Sequence, residues 1–397
     1  MKYKNKGRKI YKTKEKNYYG KSTAGKILSA ALTLLLLGGI GFLGYSVAEP
    51  IINYSKKTGD SDSSDTESTS ISETADLSGT LSDEASAVDA VSAEEFCGAS
   101  LSVSDITDLS SLTAALRNIS DSEGIEYVSV PLKVSGGEIY YASQIYEAQA
   151  CGAVQSELTL DEIVSAIRAE GFTPVAELSL LRDNLLPQTY PDASYKIASD
   201  GSNWLDNDSA SGGKPWASPF SELTQTYLNS IAGEVAAADF DKIICCDAVF
   251  PPFRESDIEL LGFDTDSEDF YTALTLVVNQ LYSSTTNSGS VMFLEVSAED
   301  LIMGYDDVIQ PMLLDVSTLV LDIDFDVLDS GITTDTTLYE FAGTPSENAV
   351  KAMDLVQDKL SDYNVIVRLS GDNTDENSLL QAKDAISDLG YSSFIIG

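Results

Sequence analysis

Residues 94–397 are predicted to form a (β/α)8 TIM barrel, an α/β fold, on two observations. Eight short apolar runs follow one another over about 300 residues, and several of the segments between them carry apolar residues at helical spacing. An open doubly wound sheet is the rival, but it would more often show a glycine-rich phosphate turn after its first strand.

The runs are FCGASL (96–101), EYVSVPL (126–132), TPVAELS (173–179), KIICCDA (242–248), SVMFLEV (290–296), TLVLDIDF (318–325), VIVRLSG (365–371) and SFIIG (393–397). Between the third and fourth runs, Leu223, Tyr227, Ile231 and Val235 recur every fourth residue. Ser218 offers that helix an N-cap, with Pro219 at its first position. Val350, Met353, Leu355, Val356 and Leu360 form a second stripe, and Leu379, Ala382, Ile386 and Leu389 a third. The chain stops at Gly397, in or just after the eighth strand, so the last helix of the barrel is expected to be missing. The segment before Phe96 is a candidate to cover that gap.

Charge divides the chain. Residues 1–26 hold ten Lys/Arg and one acid, leaving 14 basic against 62 acidic residues in the remainder. Such a body repels polyanions, so no nucleic-acid partner is expected. Residues 27–48 are uncharged and long enough to cross a bilayer as a helix. The lysines before them predict a cytoplasmic N-terminus and an extracytoplasmic barrel, held at the cell membrane by one pass. A cleaved signal ending at Ser46-Val47-Ala48 is the rival reading. Residues 49–93, rich in Ser, Thr, Asp and Glu, read as a disordered acidic stalk.

The four cysteines (Cys97, Cys151, Cys245, Cys246) lack the number and spacing of a disulfide framework and read as small buried hydrophobes. Histidine is absent, which excludes Ser-His-Asp and Cys-His catalysis and the common zinc sites. No spacing resembles a calcium loop, and neither a metal nor a cofactor is expected. The available chemistry belongs to carboxylates, Lys, Arg and Tyr.

Glycosidic cleavage needs two carboxyl groups, one to protonate the leaving oxygen and one to attack or activate water. Asp247 ends the fourth run and Glu295 nearly ends the fifth, so adjacent strands would present them at one mouth. Glu177, near the end of the third, is a further partner. A helix cap or a solvated acid is the bland alternative for each. Within FDKIICCDAVFPPF, alternation back from Asp247 aims Ile243 and Cys245 inward and Ile244 and Cys246 at the helices. In the sixth run Asp322, Asp324 and Asp326 alternate with Leu321, Ile323 and Phe325, which aims the aspartates inward, with Arg368 as their natural partner. The long loop 182–220 carries both tryptophans, Trp204 and Trp216, which either stack on sugar rings or pin the loop to the barrel.

Several local patterns come in one order between Tyr127 and Phe253: VPLKVSGGEIYY, LRDNLLP, WASPF and FDKIICCDAVFPP. Together they resemble the glycoside hydrolase domain family of bacterial membrane-anchored and secreted proteins, distantly related to alpha-amylase-type barrels. The resemblance nominates Lys133, Asp183, Trp216, Pro219, Asp241 and Asp247. It implies Asp247 as nucleophile, Glu295 as acid/base and a carbohydrate polymer as partner. The family carries an Arg in the exit after this Asp; here Phe250 stands in that stretch and Arg254 lies just beyond, the substitute expected to bind substrate. The alpha-amylase pattern also places an Arg two residues before the nucleophile, where this chain has Cys245. Two readings stay open: an extracytoplasmic glycoside hydrolase, and a degenerate barrel serving as a glycan-binding or envelope scaffold. A third, an assembly or sensor protein, would use the basic arm.

Overall fold

The computed structural model describes residues 95–120, 124–334 and 336–397. The basic arm, the apolar segment 27–48 and the stalk to residue 93 lie outside the described residues. No helix among the described residues is long and apolar enough to cross a membrane.

Eight parallel strands close into a barrel: β1 (Cys97–Ser100), β2 (Tyr127–Lys133), β3 (Thr173–Ser179), β4 (Lys242–Cys246), β5 (Val291–Ser297), β6 (Thr318–Asp324), β7 (Asn364–Ser370) and β8 (Phe394–Ile396). Each strand pairs with the next in sequence, and β8 returns to β1 through Cys97↔Phe394 and Gly98↔Ile395. Each predicted run overlaps its strand, with β2, β5 and β7 reaching one residue beyond it. The principal helices are α1 (Leu109–Ser120), α2 (Leu160–Ala169), α3 (Glu222–Ala237), α4 (Glu268–Asn287), α5 (Ala298–Met303), α6 (Pro345–Leu360) and α7 (Glu376–Ser387). A short antiparallel ribbon, Ile332–Thr333 with Leu338–Tyr339, precedes α6.

Local sequence explains the helix starts. Thr159 caps α2 in a box with Glu162, and Thr344 caps α6 in a box with Glu347, with Pro345 at the first helical position. The cap of α3 is Ser221, whose Oγ accepts from the Thr224 N–H, while the Oγ of Ser218, one turn earlier, accepts from the Phe220 N–H instead. The stripe on α3 holds at Tyr227, Ile231 and Val235, that on α6 at Met353, Val356 and Leu360, and that on α7 at Leu379, Ala382 and Ile386. Leu389 lies past the end of α7 and is exposed.

Two apolar layers result. Outward strand residues pack with the helices in the larger cluster, which contains Ile243, Cys245, Leu294, Leu321 and Val367. Inside the barrel, Phe96, Tyr127, Val175, Ile244, Phe293, Val320, Ile366 and Ile395 form a separate floor near the N-terminal ends of the strands. Phe96 stacks on Tyr127 at 4.2 Å between centroids.

The inward side of β4 is therefore the reverse of the sequence expectation. Ile244 and Cys246 face the interior, while Ile243 and Cys245 face the helices. Alternation counted back from Asp247 comes out reversed. That residue lies beyond the strand with φ 57°, in the left-handed region, which breaks the two-residue alternation.

Candidate active site

On four strands the inward position two residues on from the apolar floor turns charged: Glu177 on β3, Glu295 on β5, Asp322 on β6 and Arg368 on β7. Strand alternation explains this, since Val175, Phe293, Val320 and Ile366 precede them by two. Arg368 is the hub. Its guanidinium pairs with Glu177 through Nη2 and with Glu295 through Nη1, the latter at 3.0 Å. Asp322 takes a hydrogen bond from Ser370 Oγ at 2.9 Å. The sequence expectation that Arg368 serves the β6 aspartates is thus corrected in part: its ion pairs go to the two glutamates. Asp324 instead caps the short helix after β6 through the Asp326 and Val327 N–H groups, and Asp326 accepts from Asn373.

Burial sets the protonation of this layer. It pushes the Glu295 carboxyl up to about 8; Arg368 opposes the rise, while Asp322, Glu177 and Asp247 add to it. Asp322 rises to about 6 for the same first reason, again opposed by Arg368. Burial works against the Arg368 cation, but Glu177, Glu295 and Asp322 outweigh it and hold the guanidinium firmly charged.

Asp247 stands above this layer. Its left-handed backbone turns the carboxylate back over the barrel mouth, where Ser179 Oγ donates to Oδ2 at 2.5 Å and Arg182 Nε lies 3.2 Å from Oδ1. Non-glycine residues held there store strain and cluster at functional sites, and Asp is among the few that tolerate it. Arg182 also reaches Asp300, near the start of α5, with Nη2 at 3.0 Å from Oδ2. Burial raises the Asp300 carboxyl, with Arg182 pulling the other way. Asp247, Glu177, Glu295, Asp322, Ser179 and Arg182 line one cavity of about 300 Å³ at the C-terminal ends of the strands, with Tyr305 on its wall. A larger hollow of about 560 Å³ opens at the opposite end, beneath Phe96, Tyr127 and Phe293. No carboxylate among the described residues lines it, so the acids single out the C-terminal mouth.

Of the residues expected at the site, Asp247, Glu295 and Glu177 come together. Lys133 and Asp183 do not meet the solvent. Both are about 1 % exposed, Lys133 Nζ lies 3.0 Å from Asp183 Oδ2, and it donates to the Ser179 carbonyl at 2.8 Å. They explain the motifs instead. Gly137, at φ 108°, lets the backbone pass where a Cβ would collide with the Asp183 carboxylate. The neighbouring Gly136 N–H donates to the Arg182 carbonyl at 2.6 Å. The VPLKVSGG and LRDNLLP segments therefore interlock to place Arg182. Arg182 carries one signal in the sequence, its place beside Asp183 in that motif.

Trp204 is 3 % exposed and packs with Tyr195 and Phe253 in a small cluster that pins the long loop, so it is withdrawn from substrate. Arg254 pairs with Asp257 at 2.9 Å at the start of a short helix and does not line the mouth cavity. Pro219 is buried, and Asp241 meets Arg168 before the start of β4, at the other end of the barrel. Trp216 is half-buried beside the mouth, its indole N–H donating to Asp206 at 3.1 Å. All four cysteines are free.

The fold is a closed parallel barrel with carboxylates gathered at its C-terminal mouth. Residues 99–279 match the family described as "Putative glycosyl hydrolase domain", the family that the motifs between Tyr127 and Phe253 resemble. Among solved structures, the PgaB (BpsB) glycoside hydrolase domain from Bordetella bronchiseptica is similar with a TM-score of 0.55 and 13 % identity, over 77 % of this chain and 94 % of that one. A hypothetical protein from Ruminiclostridium thermocellum is similar with a TM-score of 0.41 and 20 % identity, over 49 % of this chain and 96 % of that one. At such identities the likeness to PgaB is one of fold. No curated protein matches.

Proposed function

We propose that the barrel cleaves glycosidic bonds in a carbohydrate polymer at the C-terminal mouth. Glu295 gives its proton to the leaving oxygen. Asp247 either adds to the anomeric carbon or takes a proton from the attacking water, so that one water is consumed per bond broken. The observation that carries the reading is the pairing of opposites in one cavity. A buried glutamate is held protonated near neutrality, and an aspartate is turned back over the mouth, beside a guanidinium, at a cost in backbone strain. Glu177 shares Arg368 with Glu295, and its role is to position that hub. The apolar run 27–48 supports placing the barrel outside the cytoplasm, tethered to the membrane.

The test is hydrolysis of a polysaccharide panel by residues 94–397 compared with Asp247→Asn. Bond cleavage by the wild type and its loss in the variant is the expected result. Cleavage unchanged by the substitution overturns the assignment. One observation favours the scaffold reading: a single arginine ties up both Glu177 and Glu295. That reading expects polymer retention on the immobilised domain with no reducing ends released.

A further inference from the structure

Resting on the carbohydrate reading, we infer that Trp216 is a separate sugar-binding shelf. A second hollow, of about 480 Å³, adjoins the acidic cavity, and Ser135 and Arg182 line both. The two meet at those side chains, so the second lies beside the mouth. Trp216 lies in the second, among Asn184, Asn207 and Lys214. A flat apolar ring surrounded by amides and an ammonium suits a sugar, which offers an apolar ring face and a hydroxyl edge.

The shelf is preorganised. Asp206 accepts from the Trp216 indole N–H at 3.1 Å and from the Lys214 N–H at 2.7 Å, which fixes the ring plane. A Cβ at Gly213 would run into the Asn207 carbonyl, so the hairpin closes tightly only with glycine there. The Ala217 N–H donates to the Asp183 carbonyl at 3.0 Å, and Asn184 Nδ2 donates to the Pro215 carbonyl at 2.9 Å. Both ties lead back to the segment that holds Arg182 against Asp247. The shelf thus keeps a fixed distance from the proposed point of cleavage, and a rigid ring loses little entropy on binding.

The test uses chito-, cello- and malto-oligosaccharides of two to seven sugars, with affinity measured calorimetrically on Asp247→Asn so that no ligand is consumed. Affinity is expected to step up once the chain is long enough to reach the shelf. Trp216→Ala should remove that step, about tenfold in affinity, and Trp216→Phe should retain part of it, with the shortest ligands unaffected. Length-dependent binding that survives Trp216→Ala, or a loss equal at every length, overturns the shelf and leaves the carbohydrate reading in place. Failure of every oligosaccharide to bind overturns both.

Discussion

The Arg368 guanidinium reaches Glu295 at 3.0 Å inside the barrel while its other nitrogen holds Glu177. One cation thus serves two glutamates, with Asp322 nearby. Removing it leaves buried carboxylates uncompensated, whereas replacing a whole ion cluster by apolar groups is often tolerated. Arg368→Met is expected to destabilise the domain by about 3–5 kcal/mol, read from denaturant unfolding. A loss under about 1 kcal/mol would show that water already screens the cluster.

Glu295 gives the protein a pH signature. Its carboxyl ordinarily titrates at 4.5 and here at about 8. Between those values the folded state keeps a proton that the unfolded state has released, so stability falls as pH rises from about 4.5 to about 8 and levels off above. Asp322, raised to about 6, adds to the lower part of that decline. Glu295→Gln should flatten the decline between pH 6 and 8 in thermal melts. If Glu295 is the proton donor, wild-type hydrolysis also falls above about pH 8, and the same variant loses about a hundredfold or more in kcat. Unchanged activity in Glu295→Gln sinks the donor assignment.

The sequence already revealed the strands and the inward aspartate Asp322, because apolar runs and two-residue alternation are local properties. It misled at Asp247, where a single left-handed residue past the end of β4 falls out of the strand's alternation and no composition signals the break. Arg182 was hidden for a different reason. Its value comes from three segments meeting in space: Gly136–Gly137, Asp183 and the turn at Asp247. Trp204 and Trp216 look alike in sequence, yet one is core and the other half-exposed, because Tyr195 and Phe253 take up the first.

The left-handed backbone at Asp247 separates chemistry from conformation. Asn tolerates that region nearly as well as Asp, whereas Ala carries a penalty of about 1–2 kcal/mol. Asp247→Asn should therefore fold with near wild-type stability while losing hydrolysis. Asp247→Ala should be less stable, and Asp247→Gly should recover part of that loss through its freedom at positive φ. Equal melting temperatures for the Ala and Gly variants would contradict the strained geometry.

Burial of the Lys133–Asp183 pair sets structural support apart from substrate contact. Both side chains are about 1 % exposed, so no ligand reaches them without opening the fold. Lys133→Met strands a buried carboxylate and should cost about 3–5 kcal/mol. Asp183→Asn keeps an oxygen for the Leu186 N–H, now bonded at 3.0 Å, and removes the charge. Combined with Lys133→Met it should restore part of the loss, giving a coupling of at least about 1 kcal/mol in a double-mutant cycle. Activity should follow a different course. The pair sits under Arg182, so in both single variants kcat should drop as Asp247 loses its aligned partner, with the affinity for short oligosaccharides retained. A rise in KM at constant kcat would instead mark Lys133 as a direct substrate contact.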